Sequence, residues 1–460
     1  MKRAAPDPAR APRLAAVRTL LAVERGADLD RALDRELRAA ALGGRGDGAL
    51  GTGIAYAAVR HQARLDALLE LAAGRKLMRV EAPVRAVLRA SAAQLVVLDG
   101  VPEYAAVSTA PDLVRDLGVA RAAGLVNGVL RGLLRDRAAA EGQPVAGATD
   151  AAARLAASAS YPGWLAARWV ERFGAERATA LAERWNEPAA LTLRLAPGVD
   201  RGAFVHALGQ AGFEASPSPW LERAVRVRAA HPAELPGWHE GHFQPQDEAS
   251  QAVVELLAPA PGETVLDLCS GLGTKTRAIV ERAGGPLTVV ACDRSLKRLV
   301  AQRTERARLG SSGAALGWVA LDGAVALPFR GAGFDRVLVD APCSGLGAIR
   351  RHPEIKWRRV AADPPRLAAT QRALLATAVL ALRPGGVLVY STCSTEPEEN
   401  EDVVRSVLAG DPRLIVQSAR AWLPEPFAPL VGDDGFLRTY PEGEGLDGFF
   451  AARMLRSDRG

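Results

Sequence analysis

Cysteine is scarce in this chain. Four cysteines occur in 460 residues, none in a C-x-x-C pair, and only six histidines accompany them. That usage excludes a disulfide-held scaffold and leaves no Cys/His cluster for zinc, so no metal site is expected. Long apolar runs are missing too: none approaches a membrane span. The start, Met1-Lys2-Arg3-Ala4-Ala5-Pro6, leads into a charged amphipathic stretch rather than a signal-peptide core. A cytoplasmic chain is expected, where thiols stay reduced and usable. Lysine is also rare, five of the 58 basic residues, so the net charge of +6 is carried almost wholly by arginine. Arginine suits bidentate phosphate contacts and stacking on bases, and the charge favours a polyanionic partner. A hydrophobic share of 48% and a charged share of 24% are those of a globular protein. The length implies two to four domains.

Residues 1–10, with Pro6 and Pro8, read as a disordered tail. From 11 to 140 the pattern is helical only: Leu14, Val17, Leu20 and Leu21 recur at helical spacing, as do Leu125, Val126, Val129, Leu130, Leu133 and Leu134. Residues 141–160 are small and polar and read as a linker. Residues 161–240 mix helices with short strands such as Leu191–Leu195 and Val225–Val227, a small α/β module. From 241 to 456 apolar runs alternate with helices, the βαβ pattern of a doubly wound, Rossmann-like sheet. Strands are expected near 264–268, 288–292, 316–320, 335–339, 386–391 and 448–454.

Two of the cysteines occupy similar settings. Cys343 follows Val337-Leu338-Val339-Asp340-Ala341-Pro342, and Cys393 follows Val387-Leu388-Val389-Tyr390-Ser391-Thr392. Each apolar run reads as a buried parallel strand. Open parallel sheets carry their reactive groups at the carboxyl ends of strands. Asp340, Cys343 and Cys393 are therefore candidates for one site. Cys269 and Cys292 read as core thiols.

A second cluster begins at Val265-Leu266-Asp267-Leu268 and continues as Cys269-Ser270-Gly271-Leu272-Gly273-Thr274-Lys275, a strand running through a glycine turn into a helix. Such a turn brings backbone close to a ligand and frees N–H groups at the helix start. A second strand ends at Asp293, placed to accept from ribose hydroxyls, and a third leads to Asp322, which could reach an adenine edge or cap its own turn. NAD would want a third glycine where Thr276 stands. A P-loop would want glycines where Cys269 and Thr274 stand. With thiols at the later strand ends, S-adenosylmethionine fits best.

One reaction needs this whole set. Carbon 5 of cytosine is too weak a nucleophile to attack a sulfonium methyl unaided. A thiolate adding at carbon 6 makes carbon 5 enamine-like; carbon 5 then takes the methyl, loses its proton and expels the thiol. A carboxyl group on the N3 and amino edge would stabilise the charge that builds on the ring, a role for Asp340. The target base must be single-stranded or flipped out.

Several motifs carry a resemblance. Asp340-Ala341-Pro342-Cys343-Ser344-Gly345-Leu346-Gly347 with Ile349-Arg350-Arg351-His352-Pro353-Glu354-Ile355-Lys356-Trp357, then Ser391-Thr392-Cys393-Ser394 with Pro397-Glu398-Glu399-Asn400-Glu401, Asp447-Gly448-Phe449-Phe450, and Gln246-Asp247-Glu248-Ala249-Ser250 are similar to those of the RNA cytosine-C5 methyltransferase (NOL1/NOP2/Sun) family, in its bacterial 16S ribosomal RNA branch of RsmB (Sun/Fmu) type. Arg121-Ala122-Ala123-Gly124-Leu125-Val126-Asn127-Gly128-Val129-Leu130-Arg131 resembles the end of the helical RNA-binding domain of the antitermination factor NusB. Together these cover roughly residues 11 to 455. The resemblance implies Cys393 as nucleophile, Cys343 as the thiol that aids product release, S-adenosylmethionine as cofactor and ribosomal RNA as partner. DNA cytosine methyltransferases instead attack with the Pro-Cys thiol. The fold it implies is a Rossmann-like methyltransferase sheet after a small α/β module and an all-α NusB-like domain; a monomer is expected.

The family usually shows Cys-Ala-Ala-Pro-Gly-Gly-Lys-Thr at the glycine turn. Here Leu272 stands for the proline, and Thr274 for a glycine that would tolerate positive φ. The basic stretch Arg350, Arg351, His352, Lys356, Arg358 and Arg359, with Trp357 beside it, is expected to meet RNA backbone and bases. The same chemistry on tRNA or on another ribosomal site is the near alternative. A non-catalytic RNA-binding or ribosome-assembly factor is the alternative of another class.

Overall fold

The computed structural model describes residues 10–42, 46–141, 148–228, 231–309, 314–329, 331, 333–443 and 445–457. Of the tail expected over 1–10, all but Arg10 lies outside them. The chain forms two compact units. One is Met1–Pro188 with Ile349–Ala361; the other is Ala189–Ala348 with Ala362–Gly460.

The first unit is helical. Its opening helices are Ala11–Glu24, Leu29–Ala39, Asp47–Arg60, Gln62–Ala73, Ala82–Val96, Glu103–Asp116 and Ala123–Glu141. Ala82–Val96 is buried on every side, as its nearly continuous run of Ala, Val and Leu requires. The arginines it carries inward are paired: Arg89 with Asp66 at 2.7 Å and Arg85 with Glu24. The stretch expected to be a linker instead holds a helix, Ala151–Ser158, capped by Asp150, whose carboxylate accepts from Ala153 N–H at 2.7 Å. Residues 142–147 lie outside the described part. Two further helices, Gly163–Phe173 and Ala175–Asn186, stack Trp169 on Trp185 at 4.5 Å, with Tyr161 5.1 Å from Trp169. The Ser160 hydroxyl accepts from Ala63 N–H at 2.9 Å and joins this trio to Gln62–Ala73. These helices, expected to belong with the small α/β module, therefore pack with the helical unit.

In the second unit, β1 (Leu191–Leu195), β2 (Glu214–Pro217), β3 (Ala224–Arg228) and β4 (Phe243–Pro245) form an antiparallel sheet in the order β2-β3-β1-β4. Its apolar face packs Leu193, Val225, Val227 and Phe243 with Phe204 and Leu208 of helix Arg201–Gln210. Arg194 of β1 is buried and donates to Gln244 at 2.9 Å and to Glu281 at 3.0 Å, fixing this sheet to the helix that starts at the glycine turn.

The large sheet runs through β5 (Thr264–Asp267), β6 (Thr288–Asp293), β7 (Ala315–Ala320), β8 (Phe334–Asp340), β9 (Leu382–Thr392), β10 (Leu414–Gln417), β11 (Leu437–Thr439) and β12 (Phe449–Arg456). Its order is β10-β12-β9-β8-β5-β6-β7, with β11 on β12. The strands β5 to β9 pair in parallel, and β12 returns antiparallel to β9. Alternate residues of the central strands enter two different cores. Val265, Leu338, Val387, Val389 and Ala451 pack under helices Glu248–Leu257 and Thr274–Ala283. Leu266, Val337, Val339, Leu388, Tyr390 and Phe450 pack under Asp363–Ala381 and Glu401–Gly410. A strand apolar on both faces needs a helix layer on each, which is why these runs are continuous rather than alternating. The order reverses at β5, between β6 and β8. At such a switch point the loops of neighbouring strands diverge and leave a crevice at the carboxyl edge.

Candidate active site

The carboxyl edge gathers the residues read as chemistry. Asp267 closes β5, Asp293 closes β6, Asp340 closes β8 and pairs in register with Ser391 of β9. Cys343 and Cys393 follow from β8 and β9, and their sulfurs lie 3.1 Å apart. The contact with Cys393, and then burial, push the Cys343 thiol well above its usual range. Asp340 is held from two sides: Lys275 Nζ donates to one oxygen at 2.8 Å and Ser391 Oγ to the other at 2.8 Å. Lys275, expected at the cofactor, is thus also the partner of Asp340.

The glycine turn is built around Gly271 and Gly273, with φ of 56° and 84°. A Cβ on Gly273 would press into the Gln302 side chain at 2.8–3.0 Å. Gln302 in turn donates to Ser270 Oγ at 2.8 Å and to Gly271 O at 2.9 Å. Thr274 begins the helix and is not among the positive-φ residues. The two left-handed positions both carry glycine, so the threonine costs no backbone strain. Leu272 is 53% exposed at the tip of the turn. Asp293 accepts from Gly271 N–H at 2.9 Å and from Ser295 N–H at 2.7 Å. Asp322 is exposed and caps its own turn through Ala324 N–H at 3.1 Å. Cys269 is half-buried, its thiol pushed well up by burial, and Cys292 is buried in the core with its thiol pushed up to about 12 for the same reason.

Two carboxylates that sequence reasoning did not single out support this edge. Asp267 is fully buried; one oxygen accepts from Thr276 Oγ1 at 2.6 Å and the other has no partner. Burial raises its pKa to about 7, with the Thr276 hydrogen bond opposing. Glu399, also fully buried, accepts from Ser344 N–H at 2.7 Å and from the hydroxyls of Ser344 and Ser394 at 2.5 Å each. The motif Pro397-Glu398-Glu399-Asn400 marks the segment but not which glutamate turns inward.

The Asp267 shift has a sign that can be measured. The unfolded chain loses this proton near pH ~4, the folded chain near 7. Between those values the folded state binds the extra proton, so stability falls as pH rises through the window and is flat in this group above it. Glu399, also shifted up by burial, adds in the same direction. Asp267→Asn should remove much of the slope in the urea midpoint between pH 5 and pH 7.5, an effect of the order of a few kcal/mol. An unchanged slope would mean that the site stays wet.

Residues 349–361 belong to the helical unit. Lys356 is 0% exposed; its ammonium donates to Arg60 O at 2.7 Å and Asn186 Oδ1 at 3.0 Å and lies 4.0 Å from the Tyr161 ring centroid. Burial holds its pKa well below the usual range. Trp357 Nε1 donates to Val59 O at 2.7 Å, Arg358 donates to Ala27 O and pairs with Asp28, and Arg60 donates to Arg350 O at 2.9 Å. Lys356 was expected at RNA and is instead enclosed: its charge serves carbonyl groups of the protein, which need donors where helices end in the interior. Arg350, Arg351, His352, Arg358 and Arg359 are all half-buried.

A cavity of about 670 Å³ lies beside the glycine turn, lined by Leu272, Gly273, Arg277, Gln302 and Trp318 among others, and by none of Asp340, Cys343 or Cys393. It is separate from the thiol site. Among the described residues no group of His, Cys, Asp and Glu could hold a metal, and among them no helix is long and apolar enough to cross a membrane.

A doubly wound sheet with a glycine turn, strand-end carboxylates and antiparallel strands added at one side defines the class: an α/β protein whose reactive groups gather at the carboxyl edge of its sheet. Comparison with known proteins narrows this. The profile of the 16S rRNA methyltransferase RsmB/F family matches residues 254–455, that of the NusB family residues 10–135, and that of the RsmF/B-like ferredoxin-like domain residues 161–234. Ribosomal RNA small subunit methyltransferase B of Xylella fastidiosa is 37% identical over 97% of this chain and 98% of its own length. The protein of the same name from Pseudomonas putida is 34% identical over 97% and 98%. Among solved structures, PH0851 matches 98% of this chain and 100% of its own with a TM-score of 0.82 at 22% identity, a likeness of fold. The chain belongs to the RsmB/F family of 16S rRNA methyltransferases.

Proposed function

We propose that the protein methylates carbon 5 of a cytosine in 16S rRNA, with S-adenosylmethionine as methyl donor and a covalent bond between Cys393 and carbon 6 of the base. The observation that carries this reading is the 3.1 Å contact between the Cys343 and Cys393 sulfurs beside Asp340. Two thiols and a carboxylate at adjoining strand ends match the needs of covalent activation, alkylation and elimination on one ring.

The residues present suit the cofactor. Asp267, Asp293 and Asp340 place three carboxyl groups along the edge, against Lys275, and one Asp267 oxygen is buried without a donor. Such an edge favours a ligand carrying ammonium and sulfonium charge. Leu272, Leu296 and Val325 leave apolar surface exposed after β5, β6 and β7, and Asp293 keeps lone pairs for ribose hydroxyls. Bound there, S-adenosylmethionine supplies an electrophilic methyl group.

The protein's own groups do the rest. The two sulfurs lie within hydrogen-bonding distance of each other, and Cys393 is the one that attacks, as thiolate. Its addition to carbon 6 moves the 5,6 electron pair to carbon 5, which becomes the nucleophile. Asp340, oriented by Lys275 and Ser391, is the group for the N3 and amino edge of the ring. After alkylation carbon 5 gives its proton to water, the C–H electron pair re-forms the 5,6 double bond, and the carbon 6–sulfur bond breaks with its pair leaving on Cys393 Sγ. The Cys343 S–H then meets the departing thiolate.

Purified protein incubated with methyl-labelled S-adenosylmethionine and unmodified 16S rRNA tests the reading. Digestion to nucleosides should place the label in 5-methylcytidine. Label in another nucleoside, or none, would refute it.

A further inference from the structure

Both reactive loops hang on one buried side chain. Glu399 sits at the end of the short 3-10 turn Pro397–Glu399, with no accessible surface. One oxygen accepts from Ser344 N–H at 2.7 Å and from Gln371 Nε2 at 3.0 Å; the other accepts from the hydroxyls of Ser344 and Ser394, each at 2.5 Å. Ser344 follows Cys343 directly, and Ser394 follows Cys393. The same two hydroxyls are 3.1 Å from each other. The hold extends further: Gln371 also donates to Pro342 O at 2.9 Å, and Gly347 N–H donates to Cys393 O at 3.0 Å.

The clamp is itself anchored. Tyr390 Oη donates to Glu399 O at 2.5 Å. Asn400 accepts from Thr392 Oγ1 at 2.6 Å and donates to Ser394 O at 2.9 Å. Glu399 therefore cannot drift without moving the end of β9.

Burying a carboxylate among neutral donors is expensive, and an apolar or amide side chain would pack at less cost. What neither could do is accept from four donors at once across two loops. An amide would present its own N–H₂ to a hydroxyl that now donates. We propose that Glu399 is a positioning residue of the methyl-transfer site, which sets the distance and direction of Cys343 Sγ relative to Cys393 Sγ by holding Ser344 and Ser394 together. It touches neither the base nor the cofactor. This rests on the reading of the two thiols as a working pair.

The test uses full-length protein and three variants, Glu399→Gln, Ser344→Ala and Ser394→Ala. Glu399→Gln should lower kcat by about 100-fold, the scale on which a misplacement of roughly 1 Å is felt. The dissociation constant for S-adenosylmethionine, read by calorimetry, should stay within about 2-fold. The thiol geometry is read directly by mild oxidation with diamide. Alkylation and mass spectrometry then report how fast Cys343 and Cys393 join. Wild type should pair them readily, Glu399→Gln at least about 10-fold more slowly, and each serine variant at an intermediate rate. If Glu399→Gln does not fold, the two serine variants still carry the test. Unchanged kcat and unchanged pairing in all variants that fold would overturn the positioning role. If wild-type protein methylated no RNA while pairing still slowed in the variants, the clamp would stand and the proposed reaction would fall.

Discussion

Replacing Cys393 with serine should abolish methyl transfer, by at least about 10³-fold, and should also abolish any covalent species with RNA. A serine hydroxyl at this position keeps the shape and loses the nucleophile, because an alkoxide is not available near neutral pH as a thiolate is. The structure gives the variant a fair background. Cys393 follows a strand whose partners on either side, β8 and β12, are unaffected by one sulfur-to-oxygen change, and Asp340 stays tied to Lys275 and Ser391. Cofactor affinity should therefore be retained. A Cys393→Ser protein that still forms an adduct with 5-fluorocytosine RNA, with the adduct lost in Cys343→Ser, would reverse the roles of the two sulfurs.

The second large effect belongs to Cys343. Cys343→Ala removes the thiol that contacts Cys393 Sγ while leaving the Ser344–Glu399 clamp untouched. Attack and methyl transfer should remain possible, but expulsion of the sulfur from carbon 6 should stall. The variant should accumulate a methylated RNA–protein species that survives denaturing electrophoresis, with steady-state turnover down by about 100-fold or more. Adding Cys393→Ala should abolish that species. Normal turnover by Cys343→Ala with nothing trapped would make Cys343 a packing residue.

The contrast between what could and could not be read from the chain has physical causes. The pairing of Asp340, Cys343 and Cys393 was legible because each follows an apolar run, and parallel strands bring such ends to one edge. Strands β5, β6, β8 and β9 were visible for the same reason: each carries a run of Val and Leu at its centre. The three-residue strand β11, Leu437-Arg438-Thr439, carries no such run, and the run Leu414-Ile415-Val416 of β10 is too short by itself to mark a strand. Ala151–Ser158 read as linker because its residues are small. Alanine is nonetheless the best helix former, and the Asp150 cap was the overlooked signal. Lys356 read as surface because a lysine in a basic stretch usually is. Only the fold reveals that its neighbours are carbonyl oxygens and aromatic rings. Glu399 stands one residue from Glu398 in the chain, and nothing local distinguishes the glutamate that will be buried from the one that is half-exposed. Thr274 was expected to cost strain by analogy of position. The positive φ values fall instead on Gly271 and Gly273.

The proposed reaction passes through a sulfur–carbon bond, and that bond can be trapped. Full-length protein should be incubated with 16S rRNA containing 5-fluorocytosine and with methyl-labelled S-adenosylmethionine. Fluorine at carbon 5 cannot leave as a proton does, so a complex that has been attacked and methylated should persist. The expected result is a cross-linked species carrying the label, with the modified peptide containing Cys393 and not Cys343. Labelled RNA with no cross-link, or a cross-link that maps to Cys343, would contradict it.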